Sequence, residues 1–241
     1  ATGIGASAGG LEVLKSIVST LPENGKTAYF LVQHLDPDYP SMLDKILRNH
    51  SSLPIEMIES KLAPQADTIY ICPSDKSCVV KNGKVTLQKL ERTPARHSID
   101  ALMESLAQSY GDRAIGIILS GTGHDGVNGM REIKAAGGWT IAQDPATAKF
   151  ASMPQAIIDQ HLADLTVAPE NIGKLLESTI LRDDSIAHAL PATEDGEEFD
   201  ELLELLRSST GFNIFRYNSA MLRRRVNRRM AANGVKSIKE Y

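Results

Sequence analysis

Short, unbroken apolar blocks alternate with stretches of helical spacing from the first residue to about residue 180. Ala28–Val32 and Ala114–Leu119 are apolar throughout, as strands covered on both faces are. Ala1-Thr2-Gly3-Ile4 opens a first strand, and Ile55–Ile58, Ile69–Cys72, Trp139–Ala142 and Leu165–Val167 supply others. Between them, Leu11–Leu21, Pro40–Asn49, Ile99–Ala107, Gly126–Ala136, Pro154–Gln160 and Pro169–Thr179 carry helical patterns, and Gly137-Gly138 stops one of them. Cys78–Leu87 alternates about Asn82-Gly83, which predicts a hairpin. The fold class that follows is α/β. It is a doubly wound, mainly parallel sheet with helices on both faces and a β-hairpin insertion.

The pattern changes after residue 181. Asp183, Asp184, Glu194, Asp195, Glu197 and Glu198 crowd around Pro191, as in a solvated linker. Beyond it, Leu202–Leu206 and Met221–Met230 read as helices, and Arg223, Arg224, Arg225, Arg228 and Arg229 form a basic stretch. The expected organisation is therefore a domain over 1–181, an acidic linker over 182–198 and a short all-α fragment over 199–241. A chain of 241 residues can bury one good core with such a tail left over.

Composition narrows the function classes. A formal net charge of −4 gives no general attraction to nucleic acid or to membranes. No apolar stretch approaches the roughly 20 residues of a membrane span, so no membrane insertion is expected. Cys72 and Cys78 are the only cysteines, and we read them as reduced thiols of a cytoplasmic protein. The first residue already lies inside an apparent strand, as in a chain cut from a longer one. A monomer is expected.

The candidate chemistry lies at strand ends. Ser7, in Gly5-Ala6-Ser7-Ala8-Gly9-Gly10, sits on a sharp strand-to-helix turn that faces the positive end of the following helix. His34 follows the second strand, and Asp125 follows the 114–119 strand in Ser120-Gly121-Thr122-Gly123-His124-Asp125-Gly126. In a parallel sheet such loops share the carboxyl edge, where ligands collect. If the three strands are neighbours, Ser7 becomes a nucleophile, His34 its base and Asp125 the group that orients the imidazole. Backbone N–H groups near Ala8 and in Gly121-Thr122-Gly123 are the expected oxyanion donors.

Other readings remain open on these residues. Gly3, Gly5 and Gly9 could form a dinucleotide loop with Ser7 as a phosphate contact, although no Tyr-x-x-x-Lys pair occurs for hydride chemistry. Asp125 could simply cap the helix that starts near Gly126. His124 is a rival base, and His50, His97, His161 and His188 read as surface or packing residues. The domain could also be a catalytically idle scaffold that presents the basic helix.

Ile4-Gly5-Ala6-Ser7-Ala8-Gly9-Gly10, Val32-Gln33-His34, Ile117 through Gly126, Ile141-Ala142-Gln143-Asp144 and Ser152-Met153-Pro154 resemble the catalytic domain of CheB-type protein-glutamate methylesterases. The resemblance covers about residues 1–180. It implies hydrolysis of γ-glutamyl methyl esters on chemoreceptor-type signalling helices through an acyl-serine, with deamidation of glutamines as a further activity. It places nucleophile, base and acid on Ser7, His34 and Asp125, and it implies no cofactor or metal. Thr122 departs from the family's usual methionine, and Arg96-His97-Ser98-Ile99-Asp100 echoes its His-Arg-Pro-Ser-Val-Asp segment only in part. Residues 199–241 resemble the start of the CheR-type methyltransferase helical domain, in Gly211-Phe212-Asn213-Ile214, Tyr217, Leu222–Val226 and Arg228-Arg229-Met230. That implies an esterase–methyltransferase fusion as parent, with Arg223, Arg224, Arg228 and Arg229 facing acidic receptor helices. S-adenosylmethionine would serve only the missing methyltransferase domain.

Overall fold

The computed structural model of the chain describes residues 1–36, 41–89, 97–177, 196–210, 226–227, 230, 235 and 237–241. The chain divides into two compact units, Ala1–Ile180 and Leu181–Tyr241. In the first unit the strands are β1 (Thr2–Ala6), β2 (Tyr29–Gln33), β3 (Ile55–Met57), β4 (Ile69–Ile71), β5 (Lys76–Lys81), β6 (Lys84–Lys89), β7 (Ile115–Ile118), β8 (Trp139–Gln143) and β9 (Leu165–Val167). Its α-helices are α1 (Gly10–Val18), α2 (Leu43–Arg48), α3 (Ser98–Tyr110), α4 (Val127–Ala135), α5 (Ser152–Asp159) and α6 (169–177).

Seven strands form one sheet in the order β3-β4-β2-β1-β7-β8-β9, and every pairing in it is parallel. The strand order reverses at β1. Successive strands leave it on one side through β2 and on the other through β7, which opens a crevice at their carboxyl ends. The two faces bury separate cores. One carries Leu14, Ile17, Leu43, Leu47 and Ile172 from α1, α2 and α6. The other carries Ile99, Met103, Met130, Ile133 and Ile157 from α3, α4 and α5.

β5 and β6 form the expected hairpin outside this sheet, with Asn82 and Gly83 both at positive φ, 53° and 69°. Those angles match the twist that a two-residue turn needs. The predicted helix over Leu11–Leu21 ends earlier, at Val18. The Ser19 and Thr20 hydroxyls donate to the carbonyls of Ser16 and Ile17, a local bond that competes with the helical ladder.

Cys72 and Cys78 correct the reading of free thiols: they are joined as a disulfide. β4 ends at Ile71 and a tight turn leads straight into β5, bringing the two Cα atoms to 5.9 Å, inside the range a bridge requires. Six residues of chain therefore cost almost no distance in space.

In the second unit, α7 (Gly196–Thr210) begins ahead of the predicted Leu202–Leu206 stretch. Phe199 and Leu203 on α7 pack with Met230 and Ile238 in a small core of their own, and Lys239 pairs with Glu198 at 3.0 Å. Arg223, Arg224, Arg225, Arg228 and Arg229 lie outside the described residues, as do the linker acids from Asp183 to Asp195. No helix among the described residues is long and apolar enough to cross a membrane.

Candidate active site

The backbone ladder sets the first two groups side by side. β1 and β2 are paired with Ala6 opposite Gln33, and the His34 N–H continues the ladder by donating to the Ala6 carbonyl at 3.0 Å. Ser7 and His34 are the residues that directly follow this last pair, at the carboxyl ends of two adjacent strands. On its other side, Ser7 donates its N–H to the Ser120 carbonyl at 3.0 Å, which extends the pairing with β7. Alternation along the strand then fixes the face. A side-chain carbon added at Gly3 or Gly5 would point at Met103, Leu106 and Ile99 of α3, so Ser7 continues that face. Val32 and Phe30 lie in the same core, so His34 does too.

Asp125 reaches that face from the loop after β7. Its Oδ2 lies 2.7 Å from His34 Nε2 and accepts from the Ile99 N–H at 3.0 Å, and its Oδ1 accepts from the Asp100 N–H at 2.9 Å. Three donors satisfy a carboxylate that is only 5% exposed. A carboxylate only accepts, so His34 Nε2 carries the proton and Nδ1 is the basic nitrogen. Nδ1 is also the nitrogen nearer the backbone, which suits a neighbour one strand spacing away. Ser7 is 8% exposed and His34 15%, so the group is nearly dry.

Asp125 caps a helix, though not the one expected. The α3 N-terminal residue His97 makes no side-chain cap bond, and Asp125 supplies the missing acceptor across 26 and 25 residues of chain. Asp100, in turn, accepts from the N–H groups of Gly126 and Gly129 at the start of α4, both at 2.9 Å. The two carboxylates therefore cap each other's helices. Sequence reasoning passed over Asp100. The signal available was an acid in the first turn of a helix that lacked a good cap.

The turn after Ser7 is held from outside. Gly9 has φ 71°, and a side-chain carbon there would meet Lys149 Cβ and Phe150 Cδ2 at 2.9 Å. The segment at Lys149 and Phe150 thus packs directly against the glycine turn. Ser120 Oγ donates to the Ala8 carbonyl and accepts from the Phe150 N–H, both at 3.0 Å, while Gln143 Oε1 accepts from the Ser120 N–H at 2.8 Å. Ser120 and Gln143 are the other supports that the sequence reading missed.

Among the expected oxyanion donors, Gly121 is already engaged. Its N–H donates to the Phe150 carbonyl at 2.9 Å, so Gly121 supports the site and does not donate to it. Among the expected donors, Ala8, Thr122 and Gly123 stay candidates. A carbon added at Gly121 would collide with Met153 Sδ and lie 2.8 Å from Ser7 Cβ. Gly121→Ala is accordingly expected to displace Ser7 and lower kcat about 100-fold, with an overpacking cost of about 1–3 kcal/mol. Steady-state kinetics and a thermal melt check both halves.

His97, Asp100 and Asp125 bring donor atoms within 4.8 Å of one another. Both Asp125 oxygens and Asp100 Oδ1 accept from the helix N–H groups just described, so a cation there would compete with both caps. His124, His50, His97 and His161 are exposed, and His188 lies outside the described residues.

Glu104, one turn along α3 from Asp100, is held above the ordinary glutamate value of 4.5. Burial is the main cause, reinforced by the charges of Asp100, Glu132 and Asp125. The folded protein holds this proton more tightly than the unfolded chain. Its stabilising effect is present at low pH and is lost as pH rises through the folded value. Glu104→Gln should therefore raise Tm at neutral pH and leave it unchanged below the ordinary carboxylate range, which melts at the two pH values test.

Comparison with known proteins gives the family of this fold. Residues 2–176 match the family model described as CheB methylesterase. The chain belongs to the CheB methylesterase family. Residues 197–241 match the CheR methyltransferase all-alpha domain. The catalytic domain of Thermotoga maritima CheB methylesterase superposes with a TM-score of 0.67 at 30% identity, covering 73% of this chain and 95% of that one. A protein-glutamate methylesterase/protein-glutamine glutaminase of Mesorhizobium japonicum is 38% identical over 65% of this chain and 47% of its own length. A 104.1 kDa protein of Rhodobacter capsulatus is 28% identical over 81% of this chain, which spans 23% of it. The chain thus covers half or less of these two longer relatives.

Proposed function

We propose that the first unit is a serine hydrolase that removes methyl groups from γ-glutamyl methyl esters on helices of chemoreceptor-type signalling proteins. The observation that carries this is the 2.7 Å bond between His34 and Asp125, at the end of the strand that pairs with the one leading into Ser7. Ser7 Oγ attacks the ester carbonyl and gives its proton to His34 Nδ1, while Asp125 stabilises the imidazolium. The N–H groups of Ala8 and of Thr122 or Gly123 receive the oxyanion. Collapse breaks the bond to the methoxy group, which leaves as methanol with the proton from His34. Water then attacks the acyl-serine, His34 takes its proton, and Ser7 is regenerated as the glutamate carboxylate departs. A glutamine side chain in the same position would release ammonia instead. The names borne by the relatives support this reading, and a cytoplasmic setting suits such a substrate.

In the second unit, Arg223, Arg224, Arg228 and Arg229 supply positive charge that complements acidic methylation helices, by charge alone. The decisive experiment combines methanol release from a methylated receptor fragment with fluorophosphonate labelling read by mass spectrometry. The expected result is release together with a label on Ser7. A label elsewhere, or no methanol, would overturn the reading.

A further inference from the structure

The two buried carboxylates near the base do different work. Asp125 touches His34, whereas Asp100 touches no reacting group and is nevertheless as deeply buried, its side chain 6% exposed against 5% for Asp125. Its Oδ1 accepts from both Gly126 and Gly129, and its Oδ2 lies 3.4 Å from Asn128 Nδ2 and from His97 Nδ1. Gly126 is the residue after Asp125, and it sits at φ 101° with no side chain to cap α4. The position of Asp125 is therefore clamped from both sides. Its carboxylate is bonded to the Asp100 N–H, and the following peptide N–H is bonded to the Asp100 carboxylate. One residue holds both ends of the Asp125 unit.

We propose that Asp100 is the positioning residue of the site, fixing Asp125 at the distance from which it orients His34. The proposal rests on the hydrolase reading above. It assigns to Asp100 a role in reactivity that α4 capping alone would not require. Placement matters because a displacement of about 1 Å at such a group can cost about 100-fold in rate. The requirement is for acceptor geometry. An amide at position 100 still offers one oxygen to both N–H groups, whereas a methyl group offers none.

The test is the second-order rate of Ser7 labelling by a fluorophosphonate on the full chain, with Tm measured beside it. Wild type labelled at Ser7, with labelling lost in His34→Ala, is the control. Failure there overturns the hydrolase reading itself, before Asp100 is considered. With the control met, Asp100→Ala is expected to slow labelling about 10–100-fold, and Asp100→Asn to restore it to within about threefold of wild type. In an Asp125→Ala background, Asp100→Ala should change the rate no further while still lowering Tm through the lost α4 cap. Asp100→Ser, which keeps one short acceptor, is read in place of Asp100→Ala if the latter does not fold. An equal rate loss with and without Asp125 would reduce Asp100 to a structural cap and overturn the proposal. So would an unchanged rate, or an asparagine variant as slow as the alanine one.

Discussion

Replacing Ser7 by alanine is expected to abolish methanol release, with kcat falling by about 10⁶. On the proposed mechanism the Ser7 oxygen is the attacking atom, and alanine leaves the backbone bonds at this position untouched. The N–H of residue 7 would still donate to Ser120 and its carbonyl would still accept from Gly10. The side chain is small and 8% exposed, so fold and substrate affinity should change little. Methanol assays on methylated receptor fragments, with a melt to establish folding, make the measurement. Turnover at the wild-type level would remove Ser7 from the mechanism.

His34→Ala should cost nearly as much, because the nucleophile and its base act as one unit and neither is of use alone. It also carries a stability signature that Ser7→Ala lacks. Without the imidazole, Asp125 Oδ2 keeps only the Ile99 N–H, and a buried carboxylate loses one of three donors. A loss of about 1–3 kcal/mol is expected from that uncompensated acceptor. Activity and denaturant midpoints measured together test the pair of claims. A His34→Ala protein that is inactive but as stable as wild type would show that the Asp125 bond contributes nothing to the fold.

Much of this arrangement was legible because it is periodic. The unbroken apolar runs at Ala28–Val32 and Ala114–Leu119 correspond to β2 and β7, two strands buried on both faces, and Asn82-Gly83 marks the hairpin. The strand ends could be read as well, since Ser7, His34 and Asp125 each follow such a run. What stayed hidden depends on distance in space. The Cys72–Cys78 bridge depends on how sharply β4 turns into β5, and spacing in the chain does not report that. The N–H of Gly121 looked available until the Phe150 carbonyl, 29 residues later, was found opposite it. Asp100 was passed over because its partners belong to another helix. The end of α1 was missed for a local reason, the hydroxyls of Ser19 and Thr20.

The placement of Ser7 and His34 directly after the β1–β2 ladder has a bearing on durability and on descent. On the proposed mechanism, attacking oxygen and proton acceptor stand at neighbouring strand ends, so their spacing depends on the central sheet more than on remote loops. Warming that loosens the surface leaves the pair assembled until the sheet itself melts. Lineages can likewise rewrite the surrounding loops to suit new substrates without disturbing the pair.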